Sequence, residues 1–184
     1  SLYEGAFVNG KPEGKGKITF ANGGWYEGDW LDGKMTGQGV ARYADGSTYT
    51  GAFLDGQHQG RGLQEGPDGY HYEGLWENGK KTGQGRITYA DGTIYEGNLS
   101  SGERDGTGKL TPPAGLVYDG EWRAGQISGQ GVLLQANGDR YEGQFEKGQR
   151  QGKGRITYAS GDSYEGDFSQ DKRHGQGIFR GKDG

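Results

Sequence analysis

The stretch Tyr26-Glu27-Gly28-Asp29-Trp30 decides the reading, because near copies of it run the length of the 184-residue chain. They begin at Tyr3, Tyr49, Tyr72, Tyr95, Tyr118, Tyr141 and Tyr164, so successive tyrosines stand 23 residues apart throughout. With the tyrosine as position 1, position 5 is Phe or Trp in every period but one, where Leu99 replaces it. Positions 12, 14 and 21 are glycine in all eight periods, and position 8 in all but the last, which has Asp171. Positions 1, 3 and 5 of an extended strand share one face. A second alternating run, such as Gly85 to Ala90, supplies another strand per period. Loops of the Asn-Gly-Lys-Pro-Glu-Gly kind should join the two strands of a period, and Ala-Asp-Gly turns should join one period to the next.

Turn length sets which columns meet. A two-residue turn between periods sets each tyrosine against the polar position 17. A three-residue turn with a left-handed glycine sets it against the apolar position 16, and so collects the apolar columns on one face. Within a period we expect the tyrosine to face position 18, the position-3 glycine to face position 16, and the Trp or Phe to face the position-14 glycine. Large residues then meet small ones in two aromatic ladders. Pro112 and Pro113 cannot both donate to a ladder, so a bulge is expected there.

Composition agrees with a repeat. Leu, Ile, Val and Phe supply only 26 residues, a level that with high net charge signals disorder. Net charge is only −4, aromatics reach 12%, and the 42 glycines fall at fixed places. Ordered glycines among ordered aromatics mark a repeat architecture. Cysteine is absent, so disulfides and thiolate metal sites are excluded. No apolar run is long enough for a spanning helix, and no signal peptide is visible. A pI near 5.4 argues against nucleic acid as a partner. The expected fold is all-β: one array over residues 1–184, an elongated single-layer antiparallel meander of eight 23-residue β-hairpins with an aromatic groove. The chain reads as a piece of a longer protein.

The joint pattern of Tyr-Glu-Gly-x-Trp, Asn-Gly-Lys-x-x-Gly-x-Gly and Tyr-Ala-Asp-Gly closely resembles the MORN (membrane occupation and recognition nexus) repeat, over all eight periods. The resemblance implies a hairpin per repeat, a twisted sheet with an aromatic groove, and a role in binding a protein or, in some members, an anionic lipid. Period 3 departs from the pattern at Thr50 and Gly66-Pro67, period 5 at Leu99, Pro112 and Pro113, and period 8 at Asp171 and Gly181.

Three surfaces compete as the functional one. The first is a partner-binding groove of Trp30, Tyr49, Phe53, Tyr72, Trp76, Tyr95, Tyr118 and Trp122, chosen for their shared face and for the enrichment of Tyr and Trp at binding hot spots. A protein or peptide segment is its expected occupant. The second is a basic edge at positions 9 to 11, represented by Lys80, Lys81, Lys172 and Arg173, facing anionic membrane lipids. The third is an apolar patch on the opposite face, Trp25, Leu31, Val40, Leu54 and Leu63, which with the end strands near Leu2 to Val8 and Gln176 to Arg180 points to homo-oligomers. No enzyme is expected, and no cofactor or metal. The acids at position 2 recur in every rung but period 3 and line a flat surface. The Gly-x-Gly units lack a phosphate-loop context. His58, His71 and His174 occupy different repeat positions. Asn98-Leu99-Ser100 fits a glycosylation sequon by pattern only. The expected location is the cytoplasm, at a membrane periphery in the lipid reading.

Overall fold

The computed structural model describes all 184 residues, which form two compact units, Ser1–Ala90 and Asp91–Gly184. Unit 1 holds β1 (Leu2–Val8), β2 (Lys11–Thr19), β3 (Trp25–Leu31), β4 (Lys34–Arg42), β5 (Thr48–Leu54), β6 (Gln57–Glu65), β7 (His71–Glu77) and β8 (Lys80–Thr88). Unit 2 holds β9 (Ile94–Ser100), β10 (Glu103–Thr111), β11 (Val117–Arg123), β12 (Gln126–Leu134), β13 (Arg140–Glu146), β14 (Gln149–Thr157), β15 (Ser163–Ser169) and β16 (Lys172–Arg180). Each unit is an antiparallel meander whose strands pair in chain order, two strands to a repeat.

The link inside each repeat is shorter than the expected Asn-Gly-Lys-Pro-Glu-Gly loop. Val8 pairs with Lys11 around Asn9 (φ 51°) and Gly10 (φ 78°), and both turn residues are left-handed. This is the two-residue mirror-image turn whose twist suits a hairpin. Between repeats the turn has three residues, as the register argument requires. Phe20 N donates to Gly24 O at 2.8 Å around Ala21, Asn22 and left-handed Gly23 (φ 89°). Position 16 then faces the next tyrosine, as in Ile18 with Tyr26 and Ala41 with Tyr49.

Within a repeat the register departs from expectation. Tyr3 faces Ile18 at position 16, Gly5 faces Gly16, and Phe7 faces Pro12. Between the last two pairs lies a bulge: Glu13, Gly14 and Lys15 stand opposite Ala6 alone. The position-12 glycine carries it, with φ between 60° and 112° in all eight repeats. A side chain would be strained at such angles, which is why the position is glycine. Large still meets small, but through the preceding repeat: Trp30 faces Gly14, and Trp76 faces Gly60. At Pro112 and Pro113 no bulge forms. β10 ends at Thr111, so both prolines lie beyond the ladder and remove no donor from it.

The core is the aromatic face. Each tyrosine ring lies over the paired glycines of positions 3 and 14; a Cβ at Gly85 would come within 2.6 Å of Tyr72 Cε2. Its hydroxyl donates to the carbonyl of position 4, in all eight repeats at 2.6–3.2 Å. Within each unit, wherever position 5 is aromatic, the ring meets that of its own repeat and that of the next edge-on. Tyr26 touches Trp30 and Phe53, and Tyr118 touches Trp122 and Phe145. Centroids along this ladder are 4.8–5.6 Å apart at 78–90°, the favoured edge-to-face geometry, contributing about 0.5–1.5 kcal/mol per pair beyond burial. Trp30 and Trp122 close the system by donating Nε1–H to Gly16 O (2.9 Å) and Gly108 O (3.0 Å).

Candidate functional site: the aromatic face and its clefts

All eight residues of the expected groove are core residues. Tyr49, Tyr72 and Tyr95 are fully buried, and even Trp30, the most accessible of the eight, is only 7% exposed. The rings are consumed by one another, so the outer surface of this face belongs to residues laid over them. Burial pushes the phenols of Tyr26 and Tyr72 up to about 12 and raises that of Tyr49 as well.

The covering residues come from position 10, which faces the position-5 ring across the tight turn: Phe53 with His58, Trp76 with Lys81, Phe145 with Arg150. His58 stacks flat on Tyr49, with centroids 3.6 Å apart and planes at 2°, and meets Trp76 edge-on. Its Nε2 lies 2.5 Å from the Tyr43 hydroxyl. Burial, with Lys81 nearby, holds the imidazole down to about 4, so it is neutral at physiological pH. Lys81 Nζ sits over Tyr70, Tyr72 and Trp76 at 4.8–5.7 Å, and burial lowers its pKa. Arg104 lies 4.5 Å over Trp122, and Arg173 5.4 Å over Tyr164. Such contacts contribute about 0.5–2 kcal/mol each.

The expected basic edge therefore divides. Lys80 and Lys172 are exposed at strand starts, whereas Lys81 is half-buried over three rings. Arg173 is exposed but also turned onto a ring. On the opposite face Leu31 and Leu54 are exposed at 56% and 47%. Trp25, Val40 and Leu63 are half-buried there, with Lys17 Nζ 4.8 Å over the Trp25 ring. Val40 pairs with Glu27, and Leu63 with Glu73, so this patch is interleaved with acids.

Two clefts open on the aromatic face, one in each unit. The unit 1 cleft, of about 370 Å³, is lined by Ile18, Phe20, Trp30 and Met35. Lys34 and Asp55 form its rim as an ion pair at 3.9 Å. The unit 2 cleft, of about 510 Å³, has Ile156, Tyr158 and Phe168 in its lining, with Arg150, Lys172 and Arg173. Periodicity alone does not reveal the clefts, because the deciding position 10 changes type in almost every repeat: Pro12, Met35, His58, Lys81, Arg104, Ile127, Arg150 and Arg173. A signal was available in the tight turn, which fixes that position 10 opposes position 5.

No curated protein matches the chain. Among solved structures, the G-box domain of the microcephaly protein CPAP aligns over 90% of this chain and 85% of its own, with a TM-score of 0.53 and 16% identity. That likeness is one of fold. The TCP domain of Drosophila melanogaster SAS-4, solved with a proline-rich motif of Ana2, aligns over 82% of this chain and 69% of its own at a TM-score of 0.37 and 12% identity. The TCP10 domain of Danio rerio CPAP aligns over 87% and 85% at 0.33 and 16%. The family model for the MORN repeat matches residues 3–25, 26–48, 49–69, 72–94, 95–115, 118–140, 141–163 and 164–184, one match per tyrosine-led hairpin, and the chain belongs to the MORN repeat family.

Proposed function

We propose that this chain is a non-catalytic repeat scaffold that receives a segment of a protein partner on its aromatic face. The observation that carries the reading is the unit 1 cleft: apolar walls of Ile18, Phe20 and Met35 over the Trp30 ring, under a charged rim. Its volume lies at the lower end of ligand pockets, the size for one large apolar side chain rather than a cofactor. The buried ladder supplies a rigid floor, so little ordering entropy is lost on binding. The partner touches what overlies the ladder, Phe20 and Met35 first, and an extended segment crossing the strands can place one aromatic or aliphatic residue there. The Lys34–Asp55 pair gives that segment polar contacts at the rim.

Selection from a random peptide library against the intact chain tests this. Enriched peptides should share one large apolar residue and lose about tenfold or more in affinity to Phe20→Ser or Met35→Lys, as truncation of a hot-spot pocket does. Peptides indifferent to both changes refute the assignment. Binding of anionic vesicles, with no peptide enriched, would place the function on lipid instead.

A further inference from the structure

We propose that the unit 2 cleft is an anion-binding counterpart of the unit 1 cleft and takes a carboxylate-rich segment of a protein partner. The proposal rests on the reading that the aromatic face receives peptides, and it adds the chemistry of a second site. Ile156, Tyr158, Phe168 and Lys172 stand at the repeat positions of Ile18, Phe20, Trp30 and Lys34. The fifth equivalent differs: Arg173 stands where unit 1 has Met35, and Arg150 lines the cleft from position 10 of the preceding repeat, where unit 1 has Pro12. The same architecture therefore offers guanidinium groups in place of an apolar wall.

The arginine between the two repeats is held in place by a turn residue. Asp171 occupies position 8, where the other seven repeats have glycine, and its φ is +67°. The two-residue turn demands a left-handed residue at that position, and Asp is one of the few side chains that tolerate it. Here Asp171 Oδ1 accepts from Arg150 N at 2.8 Å and Arg150 Nε at 3.4 Å, and the Asp171 carbonyl accepts from Arg150 Nη2. The Asp171 N–H returns a bond to the Arg150 carbonyl at 3.1 Å. The guanidinium is thereby fixed over Tyr141 and Phe168, 5.7 and 5.5 Å from their centroids, with the side chain 19% exposed. Nη1 makes no bond within the chain, so a positioned donor faces a ligand at little ordering cost.

The charge balance favours an anion. Asp171 and Arg150 pair with each other, so the surplus positive charge of the lining comes from Lys172 and Arg173. Asp139, also in the lining, is committed to the turns through Ala159 N (2.8 Å) and Asn137 Nδ2 (3.0 Å). Lys172 and Arg173 add two further cations to the lining. Planar guanidinium groups match carboxylates in pairs of parallel hydrogen bonds. An aromatic floor and a largely covered Arg150 suit an inserted side chain better than a flat layer of phospholipid headgroups.

The test uses the whole chain, labelled with ¹⁵N, and a blocked pentapeptide of four glutamates around a tyrosine, with its all-glutamine counterpart as control. The acidic peptide should shift the Arg150 and Arg173 Nε–H resonances, weaken with added salt, and bind about tenfold or more tightly than the control. Arg150→Met with Arg173→Met, copying Met35, should lower its affinity about tenfold or more with an unchanged circular dichroism spectrum. If that pair disturbs the fold, the exposed Arg173→Met alone makes the comparison. Equal affinity for both peptides, an unaffected Met variant, or binding of inorganic phosphate or phosphatidylserine vesicles without the peptide overturns the proposal. Phe20→Ser and Met35→Lys should leave acidic-peptide binding intact, which separates failure here from failure of the unit 1 reading.

Discussion

Gly62→Ala adds one methyl group at the tightest point of the core. The ideal Cβ would sit 2.5 Å from Tyr49 Cε2 and closer still to Cζ and the hydroxyl. Carbon atoms prefer about 3.5–4.0 Å, so ring or backbone must retreat by roughly 1 Å. Tyr49 has no free direction, being fully buried with Phe53, His58 and Trp76 against it at centroid distances of 4.9, 3.6 and 5.4 Å. Retreat also strips its 2.7 Å bond to Ala52 O. Overpacking costs about 1–3 kcal/mol, and the lost hydrogen bond about 1 kcal/mol more. The sum, about 2–4 kcal/mol, moves a urea midpoint by about 1–2 M at a slope near 2 kcal/mol/M. Tryptophan fluorescence in a Trp122→Phe background reports on unit 1 alone, since Trp25, Trp30 and Trp76 then remain. Gly62 has no left-handed φ, so the cost is steric and belongs to the ring. In a Tyr49→Ala background the same change should therefore cost less than about 0.5 kcal/mol. Equal costs in the two backgrounds would refute the argument that the glycines serve the tyrosines.

Further expectations concern pH and turns. His58 has its pKa held down to about 4 when folded against an ordinary 6.5, so the unfolded chain binds the extra proton between those values. Stability should fall by up to about 3 kcal/mol as pH drops through that window, and His58→Gln should flatten the dependence in urea titrations at pH 4 to 7. The phenols run the other way: Tyr72 and Tyr141 are raised to about 12, so their stabilisation is complete below about 10 and lost as pH climbs to 12. Absorbance at 295 nm should show them ionising together with unfolding, and separate ionisation at an ordinary phenol pKa would contradict their burial. Ala124, at φ 47° in a tight turn, should gain about 0.5–1 kcal/mol when replaced by Asn, read as a higher thermal midpoint.

Periodicity shows the strands, the face shared by Tyr26 and Trp30, and the three-residue turn at Gly23, because those depend on spacing and on a register that must bury one face. It does not show the bulge. The glycines at positions 12 and 14 look alike as letters, yet Gly62 makes room for a ring while Gly60 adopts φ +74°. Spacing also places the aromatics on one face without saying how they tilt. Edge-on packing between successive repeats buries Trp76 and Tyr118, so the clefts are lined instead by Phe20, Met35, Arg150 and Arg173, which the repeat pattern does not single out. Asp171 shows as an exception in the sequence, but its bonds to Arg150 appear only in the structure.

Intermolecular nuclear Overhauser effects between a library-selected peptide and the labelled chain decide whether a partner segment sits on the aromatic face at the unit 1 cleft. Binding there gives contacts from one apolar peptide side chain to the Ile18 and Met35 methyl groups and the Phe20 ring, with Leu31 and Leu54 unaffected. Contacts confined to Leu31, Leu54 and Val40 on the opposite face would contradict it.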